Sequence, residues 1–309
     1  MTHTTGIATA ATVENCPHLT LTDSHNAFPD RNHEDSLAVI AVKNPYCTAT
    51  ITPQGAQLLT FEQADGTPLL WLSPQAIFKT GKAIRGGVPV CLPWFGPHTT
   101  DPSKPQHGFA RNSLWQLTRA HALDDGATQL TWRFQVGTSH PAQFAGEFTA
   151  ELTMTLSKRI DLQLVVSNDG THPLPLSWAL HSYHPVNNLA TARVAGLDGC
   201  EYLDNTRQQS RFTQTGDITF GREVDRIFVS TSKHQDLITE TQHLRVSGHD
   251  CSSAIIWNPG PQLAAGMADV GEGNHQGFVC VERGNTADNA LRLAAGETHR
   301  ASVRIEALT

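Results

Sequence analysis

Residues 148–166 read FTAELTMTLSKRIDLQLVV, and apolar and polar side chains alternate along nearly all of this stretch. Successive side chains of a β-strand point to opposite faces of the sheet, so each half of the stretch presents one apolar face. The polar triplet Ser157-Lys158-Arg159 separates the two halves. The pattern therefore predicts a half-buried antiparallel hairpin with a hydrophobic inner face.

Short strands of the same kind are predicted on both sides of this hairpin. One pair flanks the turn Asp124-Asp125-Gly126 within Leu114–Val136. Turn-forming residues bound the other candidate strands, which is typical of an all-β chain. These strands are predicted at Leu37–Val42, Thr48–Thr52, Gln57–Phe61, Pro68–Leu72, Ala190–Val194, Glu201–Leu203, Gln242–Val246, Ala254–Trp257, Gly277–Val281 and Ser302–Ile305.

Helical signals are weak throughout the chain. Only Leu19–Ala27 and Glu223–Phe228 leave room for brief helical turns, and no sustained 3.6-residue period occurs. We therefore predict an all-β fold, a large antiparallel β-sandwich with few short helices. Residues 35–309 are expected to form one domain, preceded by an N-terminal arm at residues 1–34, where periodicity is weak.

Charge and hydropathy exclude several classes of partner. The net charge is −7 and Lys and Arg form no cluster, so we expect neither nucleic acid nor an anionic membrane as a partner. No window approaches the ~20 apolar residues of a membrane span. The first residues lack the basic start and apolar core of a signal peptide. We expect a cytoplasmic monomer.

Cysteine spacing and short motifs give no sign of a bound metal or cofactor. The six cysteines are scattered and include no C-x-x-C pair, so we expect reduced, mostly buried thiols. Neither a nucleotide-binding glycine loop nor a G-x-S-x-G or H-E-x-x-H motif occurs. The sequence predicts no cofactor and no catalytic metal.

Ser177–Val186 reads SWALHSYHPV and places His181 at the end of an apolar run that is typical of a buried strand. Such a histidine is either a core residue bonded to a backbone carbonyl or a group that exchanges protons near neutral pH. His184 follows three residues later, but no third metal ligand of matching kind lies nearby. The role of His184 stays open at this point.

Two irregular segments carry arginines. Lys82–Pro97 reads KAIRGGVPVCLPWFGP and includes Arg85, and Pro105–Trp115 reads PQHGFARNSLW and includes His107 and Arg111. Glycine and proline make these segments stiff, irregular loops. The arginines are either ordinary surface residues or a pair that clamps a phosphate or carboxylate with forked hydrogen bonds.

Two carboxylates follow apolar residues near predicted strands. Glu282 closes the apolar run of Gly277–Val281, where a carboxyl group is either a general base or an ion-pair partner of Arg283. Asp225 lies beside apolar anchors within Glu223–Phe228. It is either part of a surface ion pair or an acceptor for sugar hydroxyl groups.

Seven blocks, in this order, resemble the aldose 1-epimerase (mutarotase) superfamily, and within it the branch that acts on hexose 6-phosphates. The resemblance extends from about Leu37 to the C-terminus. The blocks are RGGVPVCLPWFGP at 85–97, HGFARN at 107–112, ALHSYH at 179–184, VDRIF at 224–228, WNPGP at 257–261, GMAD at 266–269 and CVE at 280–282.

The resemblance implies a galactose mutarotase-like super-sandwich whose concave face binds a hexose. It implies interconversion of the α and β anomers of a hexose 6-phosphate such as glucose 6-phosphate, without a cofactor. Alternatives are a mutarotase for free aldoses and a non-catalytic carbohydrate-binding sandwich. The implied roles are acid catalyst for His181, base for Glu282, phosphate binding for Arg85 and Arg111, and sugar binding for His107 and Asp225.

The chemistry implied by the resemblance requires an ionised Glu282 beside a protonated His181 in the substrate complex. Two features depart from the family's pattern. His184-Pro185 stands where the family often has an aromatic residue, and Arg283-Gly284-Asn285 follows Glu282 without a clear match. We expect both departures to affect the rim of the site, and thus which sugar fits.

Overall fold

The structure, a computed structural model, describes residues 11–137 and 144–308. Its short helices include α1 (Ser24–Ala27) and α2 (Gly260–Ala265). The strands are β1 (Leu19–Asp23), β2 (Asn32–His33), β3 (Ala38–Lys43), β4 (Cys47–Thr52), β5 (Gln57–Gln63), β6 (Ile77–Phe78), β7 (Val90–Cys91), β8 (Gln116–Ala122), β9 (Thr128–Val136), β10 (Phe148–Leu156), β11 (Ile160–Asn168), β12 (Leu174–Leu176), β13 (Trp178–Leu180), β14 (Tyr183–Pro185), β15 (Arg193–Ala195), β16 (Glu201–Asp204), β17 (Ser210–Thr213), β18 (Ile218–Thr219), β19 (Val224–Phe228), β20 (His234–Ile238), β21 (His243–His249), β22 (Ser253–Asn258), β23 (Phe278–Asn285), β24 (Leu291–Leu293) and β25 (Thr298–Ala307).

A nine-stranded sheet is built around the hairpin predicted from residues 148–166. Strands β10 and β11 pair antiparallel with Leu152 opposite Leu164, and buried and half-buried residues alternate along both. The sheet order is β18-β15-β20-β21-β25-β11-β10-β9-β8. The predicted hairpin is confirmed, and its apolar face lies in the main hydrophobic core.

An eight-stranded sheet packs against the same core. Its order is β17-β16-β19-β22-β23-β13-β7, and β14 also pairs with β23. Val279 and Val281 of β23 belong to the core shared with the nine-stranded sheet. Phe278 and Cys280 alternate with them and pack in a separate cluster on the other face. Strand β23 is therefore buried on both faces. In this it differs from antiparallel strands that have one face in water.

A four-stranded sheet near the N-terminal end of the described residues has the order β1-β3-β4-β5. Strand β1 pairs antiparallel with β3 along its whole length. Residues 1–10 of the expected N-terminal arm lie outside the described residues, and the division of the chain into an arm and a domain stays a prediction. No helix within 11–137 or 144–308 combines the length and apolar character needed to cross a membrane.

The all-β antiparallel architecture is confirmed, but two local predictions are wrong. Glu223–Phe228 contains strand β19 instead of a helical turn, because Val224–Phe228 pairs with β22 and β16. Pro68–Leu72 forms only isolated bridges. It leaves the sheet because the Trp71 N–H donates to the Tyr183 carbonyl oxygen, beside the site described below. In both segments a tertiary partner determines the local conformation.

Strands β13 and β23 approach each other unusually closely at Gly284. The residue opposite it is Ala179, and a Cβ atom added to Gly284 would lie 2.1 Å from the carbonyl oxygen of Trp178. The two nearest atoms, the Trp178 carbonyl oxygen and the Ala179 Cα, belong to the backbone. The clash is therefore relieved only if the strands separate. Gly284 thereby fixes the spacing of the strands that carry the site.

We predict that Gly284→Ala lowers the free energy of unfolding by about 3 kcal/mol, as overpacking of a rigid interior does. Gly221→Ala is the matched control, because its added Cβ would meet no heavy atom within 4 Å. Denaturant titration followed by tryptophan fluorescence measures both. Equal midpoints for the two variants would contradict this account of the strand spacing.

Candidate active site

Glu282 lies within β23 and is completely buried. The strand continues past it to Asn285, so the carboxyl group does not end the strand as the sequence predicted. Neither carboxyl oxygen has a hydrogen-bond partner. Since buried polar groups are nearly always bonded, this carboxyl group is available to a ligand. The residue opposite it belongs to an apolar cluster of Cys91, Ala179, Ile227 and Ile255.

His181 lies where the predicted continuous strand is interrupted. Strand β13 ends at Leu180 and β14 begins at Tyr183, and the His181 amide donates to the carbonyl oxygen of Pro89. This interruption brings the imidazole Nδ1 to 3.3 Å from Oε1 of Glu282. Only 5% of His181 is exposed. The structure therefore brings together the two residues to which the resemblance assigns acid and base roles.

Burial shifts the pKa values of this pair in opposite directions. Desolvation raises the pKa of Glu282 well above its usual value, and the negative charge of Asp225 adds to the effect. Desolvation lowers the pKa of His181 well below 6.5, and neighbouring basic groups add to it. Both shifts favour the neutral form of each group in the ligand-free protein. The pair then holds one proton, on the carboxyl group.

Tyr183 connects His181 to Arg85. Its ring stacks on the imidazole at 4.8 Å between centroids, with 9° between the planes. Its hydroxyl oxygen accepts a hydrogen bond of 2.9 Å from Nη1 of Arg85. The indole of Trp257 meets the imidazole edge-on at 5.9 Å. These rings fix the plane of the imidazole and hence the direction of its two nitrogens.

Arg85 is oriented but not saturated by its partners. Nε and Nη2 both lie within 3.1 Å of Oδ2 of Asp269, and Nη1 donates to Tyr183. A guanidinium has five N–H groups, so one N–H on each of Nη1 and Nη2 remains without these partners. Two such groups suit a forked bond to a phosphate or carboxylate.

Gly87 allows the loop that carries Arg85 to pack closely against strand β5. Gly87 has φ +62°, and a Cβ atom there would lie 2.1 Å from the carbonyl oxygen of Leu58. Only glycine permits this backbone approach and this conformation together. The R-G-G sequence therefore fixes the backbone position from which the Arg85 side chain extends.

His107 lies next to His181, with 5.6 Å between ring centroids. Its own φ is +64°, and its Nδ1 accepts a hydrogen bond from the Gly96 N–H at 3.2 Å. Burial lowers the pKa of His107 well below 6.5, so the neutral ring carries its proton on Nε2. Gly108 is required here because a Cβ atom would lie 2.1 Å from the carbonyl oxygen of Leu92.

Arg111 belongs to the 3₁₀ turn Ala110–Asn112. Its Nη2 donates to the carbonyl oxygen of Gln106 at 2.7 Å, while its buried Nε has no partner. Its charge acts on both His181 and Glu282. Arg111 thus contributes positive charge and a free donor on the side of the site that His107 occupies.

Asp225 lies in a row of side chains that crosses four strands on one face. Asp225 is opposite Trp257, Trp257 is opposite Cys280, and Cys280 is opposite Tyr183. Its Oδ1 accepts a hydrogen bond from Asn205 at 2.8 Å, and burial raises its pKa to about 6. Its neighbour Arg226 bonds to Gln214, so the expected alternative of a surface ion pair is not formed.

Arg283 neither pairs with Glu282 nor lies at the rim, so both expectations for it are wrong. Because side chains alternate along β23, Arg283 points to the opposite face. There it is buried and donates hydrogen bonds of 2.6–3.1 Å. The acceptors are the carbonyl oxygens of Ser232 and Cys251 and the Gln235 side chain.

His184 is a structural residue. It is fully buried, with Nδ1 3.0 Å from the carbonyl oxygen of Leu69 and Nε2 3.1 Å from Oγ of Ser182. Burial lowers its pKa to about 4. Both ring nitrogens are therefore occupied, and the side chain lies in the interior and not at the rim.

Sequence reasoning missed the residues that hold the predicted ones in place. Asp269 and Tyr183 orient Arg85, and Asn205 bonds to Asp225. Asp269 and Tyr183 stand in two of the seven blocks quoted above, which was the available signal. Asn205 stands outside every block.

Two further features concern ligand binding. His181, Cys280 and Glu282 are the described residues whose ligand atoms lie close enough to hold a metal ion, within 4.8 Å of one another. Separately, a groove of about 590 Å³ lies on the outer face of the nine-stranded sheet, between residues such as Thr153, Gln163 and Arg304. It contains none of the site residues named so far.

Comparison with known proteins gives a consistent result. A family model described as aldose 1-epimerase matches residues 38–306. Proteins provisionally named glucose-6-phosphate 1-epimerase are 34% identical in Salmonella typhimurium, covering 82% of this chain and 84% of that protein, and 32% identical in Escherichia coli, covering 89% and 92%.

Solved structures show the same fold. A provisionally named mutarotase from Salmonella typhimurium superimposes with a TM-score of 0.82 at 30% identity, covering 88% of this chain and 91% of that one. A galactose mutarotase-like protein from Lactobacillus casei gives 0.66 at 16% identity, covering 87% and 100%. The family predicted from the seven sequence blocks is confirmed, and the chain belongs to the aldose 1-epimerase family.

Proposed function

We propose that the protein interconverts the α and β anomers of a hexose 6-phosphate, with glucose 6-phosphate as the expected substrate. The observation that carries the proposal is the unpartnered, buried carboxyl group of Glu282, 3.3 Å from the imidazole of His181. The arginines Arg85 and Arg111 keep donors free near this pair. The names of the relatives agree with this substrate.

The reaction needs one base and one acid on the same sugar ring. Glu282 removes the proton from the C1 hydroxyl group while His181 protonates the ring oxygen, so the ring opens to an aldehyde. Rotation about the C1–C2 bond presents the other carbonyl face, and closure reverses both proton transfers. Each general acid–base step typically supplies ~10²–10⁴-fold in rate. No group leaves and no electrons are transferred, so the reaction balances without a cofactor.

The ligand-free and reactive forms of the pair contain the same number of protons. A neutral carboxyl beside a neutral imidazole differs from a carboxylate beside an imidazolium only in which residue holds the proton. A phosphate dianion on Arg85 and Arg111 would offset the positive charge that lowers the pKa of His181. Substrate binding then favours moving the proton to His181, which prepares the acid and the base together.

The site supports catalysis over binding alone. A carbohydrate-binding sandwich has no use for a buried acid–base pair without structural partners. A glycosidase requires two carboxyl groups at a defined spacing. Besides Glu282, the site contains Asp269, which binds Arg85, and Asp225. The hydrogen bond of Asp225 with Asn205 leaves it suited to accept bonds from sugar hydroxyl groups.

We predict that the wild-type protein accelerates anomer exchange of glucose 6-phosphate more than that of glucose, measured by NMR above the spontaneous rate. Arg85→Ala and Arg111→Ala should each lower kcat/KM for the phosphosugar by roughly 10–100-fold, the value of a hydrogen bond to a charged group. Rates on glucose should change less. Arg193→Ala is the control, because it removes an exposed arginine that pairs with Asp217.

Each result of that assay bears on a different claim. No acceleration for either sugar would refute the epimerase. Equal acceleration for glucose and glucose 6-phosphate, unchanged in both arginine variants, would refute the phosphate specificity and favour a mutarotase for free aldoses.

Glu282→Gln tests the base. The carboxamide keeps the shape of the side chain and loses its basicity, so we predict a loss of at least ~10²-fold in kcat with little change in affinity for the phosphosugar. Calorimetric titration with glucose 6-phosphate measures the affinity separately from turnover. Turnover close to that of the wild type would remove Glu282 from the mechanism.

We predict a bell-shaped pH dependence of kcat/KM. The active pair holds one proton. On the acidic side the pair gains a second proton, at a pH below 6.5 because the pKa of His181 is lowered. On the basic side it loses its only proton, at a pH well above 4.5 because the pKa of Glu282 is raised. Stopped-flow or NMR rates from about pH 4 to 10 check this. A rate that changes in one direction only would contradict the shared-proton account.

A further inference from the structure

A cysteine with no part in the proposed chemistry lies beside the acid–base pair. Cys280 and Glu282 are two residues apart on β23, so their side chains share one face. Both are completely buried, and His181 approaches from between β13 and β14. The Cys280 sulfur, the His181 nitrogen and the Glu282 oxygen all lie within 4.8 Å of one another.

We infer that His181, Cys280 and Glu282 form an inhibitory Zn²⁺ site. Imidazole nitrogen, thiolate sulfur and carboxylate oxygen are the three ligand types that zinc prefers in proteins. Ligand atoms at bonds of ~2.0 Å in a tetrahedron are roughly 3.3 Å apart, and Nδ1 of His181 is 3.3 Å from Oε1 of Glu282. Three protein ligands leave a fourth position for water.

The unpartnered atoms support this site independently of residue type. Both carboxyl oxygens of Glu282 and Nδ1 of His181 are buried without a hydrogen bond. The substrate accounts for the carboxyl group and the imidazole, but nothing in the proposed mechanism requires a thiol at position 280. The cluster around Cys280 is mostly apolar and includes Phe278, Ala264 and Val270, so packing alone does not account for a thiol there.

Zinc at this position would block the reaction that we propose, and the inhibitory effect rests on that proposed function. Coordination occupies the carboxylate and the imidazole lone pair, so neither can exchange a proton with the sugar. The thiol and carboxyl protons leave to solvent as the metal binds. The positive charges of Arg85 and Arg111 oppose a cation here, so the affinity should be lower than that of a closed structural zinc site and the metal removable by a chelator.

The test compares the wild type with Cys280→Ser, Cys280→Ala and the control Cys200→Ser, which changes a partly exposed cysteine elsewhere. Anomer exchange is measured with increasing Zn²⁺ and again after EDTA. We expect reversible inhibition of the wild type and of Cys200→Ser. Both Cys280 variants should keep their basal activity and need about 100-fold more Zn²⁺ for the same inhibition, since they lose one of three ligands.

Cobalt provides a readout that does not depend on activity. Co²⁺ replaces Zn²⁺ at such sites, and a thiolate ligand gives it a charge-transfer absorption band. We expect this band in the wild type and in Cys200→Ser, and its absence in both Cys280 variants. The same band in all four proteins, or no band in the wild type, would overturn the site even if the epimerase activity is present. If activity is absent but the band follows Cys280, the metal site stands and the proposed function fails.

Discussion

The contact between His181 and Glu282 depends on the burial of β23 on both faces. One face of this strand packs in the main core and the other faces the site, where apolar side chains surround the carboxyl group. An isolated ionised carboxylate would be costly to bury there. The fold therefore favours a neutral carboxyl group beside a neutral imidazole. The charge separation that the chemistry needs is left to the substrate complex.

Hydrogen bonding distinguishes the structural histidine His184 from His181 of the site. His184 is as deeply buried as His181, but the Leu69 carbonyl oxygen and the Ser182 hydroxyl group lie within hydrogen-bond distance of its two ring nitrogens. His181 and Glu282 keep polar atoms without partners. An unpaired buried polar group destabilises a fold. We therefore attribute the unpaired atoms of His181 and Glu282 to function. The same criterion separates the two histidines of one short segment.

Close backbone contacts fix the positions of the segments that carry the remaining site residues. Gly87, Gly108 and Gly284 each lie where a Cβ atom would be 2.1 Å from a carbonyl oxygen. These contacts fix the loop of Arg85, the turn that carries His107 and the spacing of β13 and β23. The loops therefore behave as rigid parts of the site, and their side chains need little reorganisation to meet a ligand.

The sequence by itself determined the all-β architecture and the family. Period-two alternation over residues 148–166 indicates which face of a hairpin is buried. The seven ordered blocks indicate the family to which the chain belongs. The same blocks contained His181, Glu282, Arg85 and Asp225. Local pattern was enough for these features because each depends on residues close together in the chain.

Only the tertiary structure decided the local conformation of β19, the partners of Arg85 and the roles of His184 and Arg283. The local sequence at 224–228 is compatible with a helical turn, but pairing with β16 and β22 makes it a strand. Asp269 and Tyr183 reach Arg85 across 184 and 98 residues of chain. Alternation along β23 places Arg283 and Glu282 on opposite faces of the strand. Which of the two faces points to the core and which to the site depends on what packs against them. Such long-range contacts leave no local periodicity, so sequence pattern could not predict them.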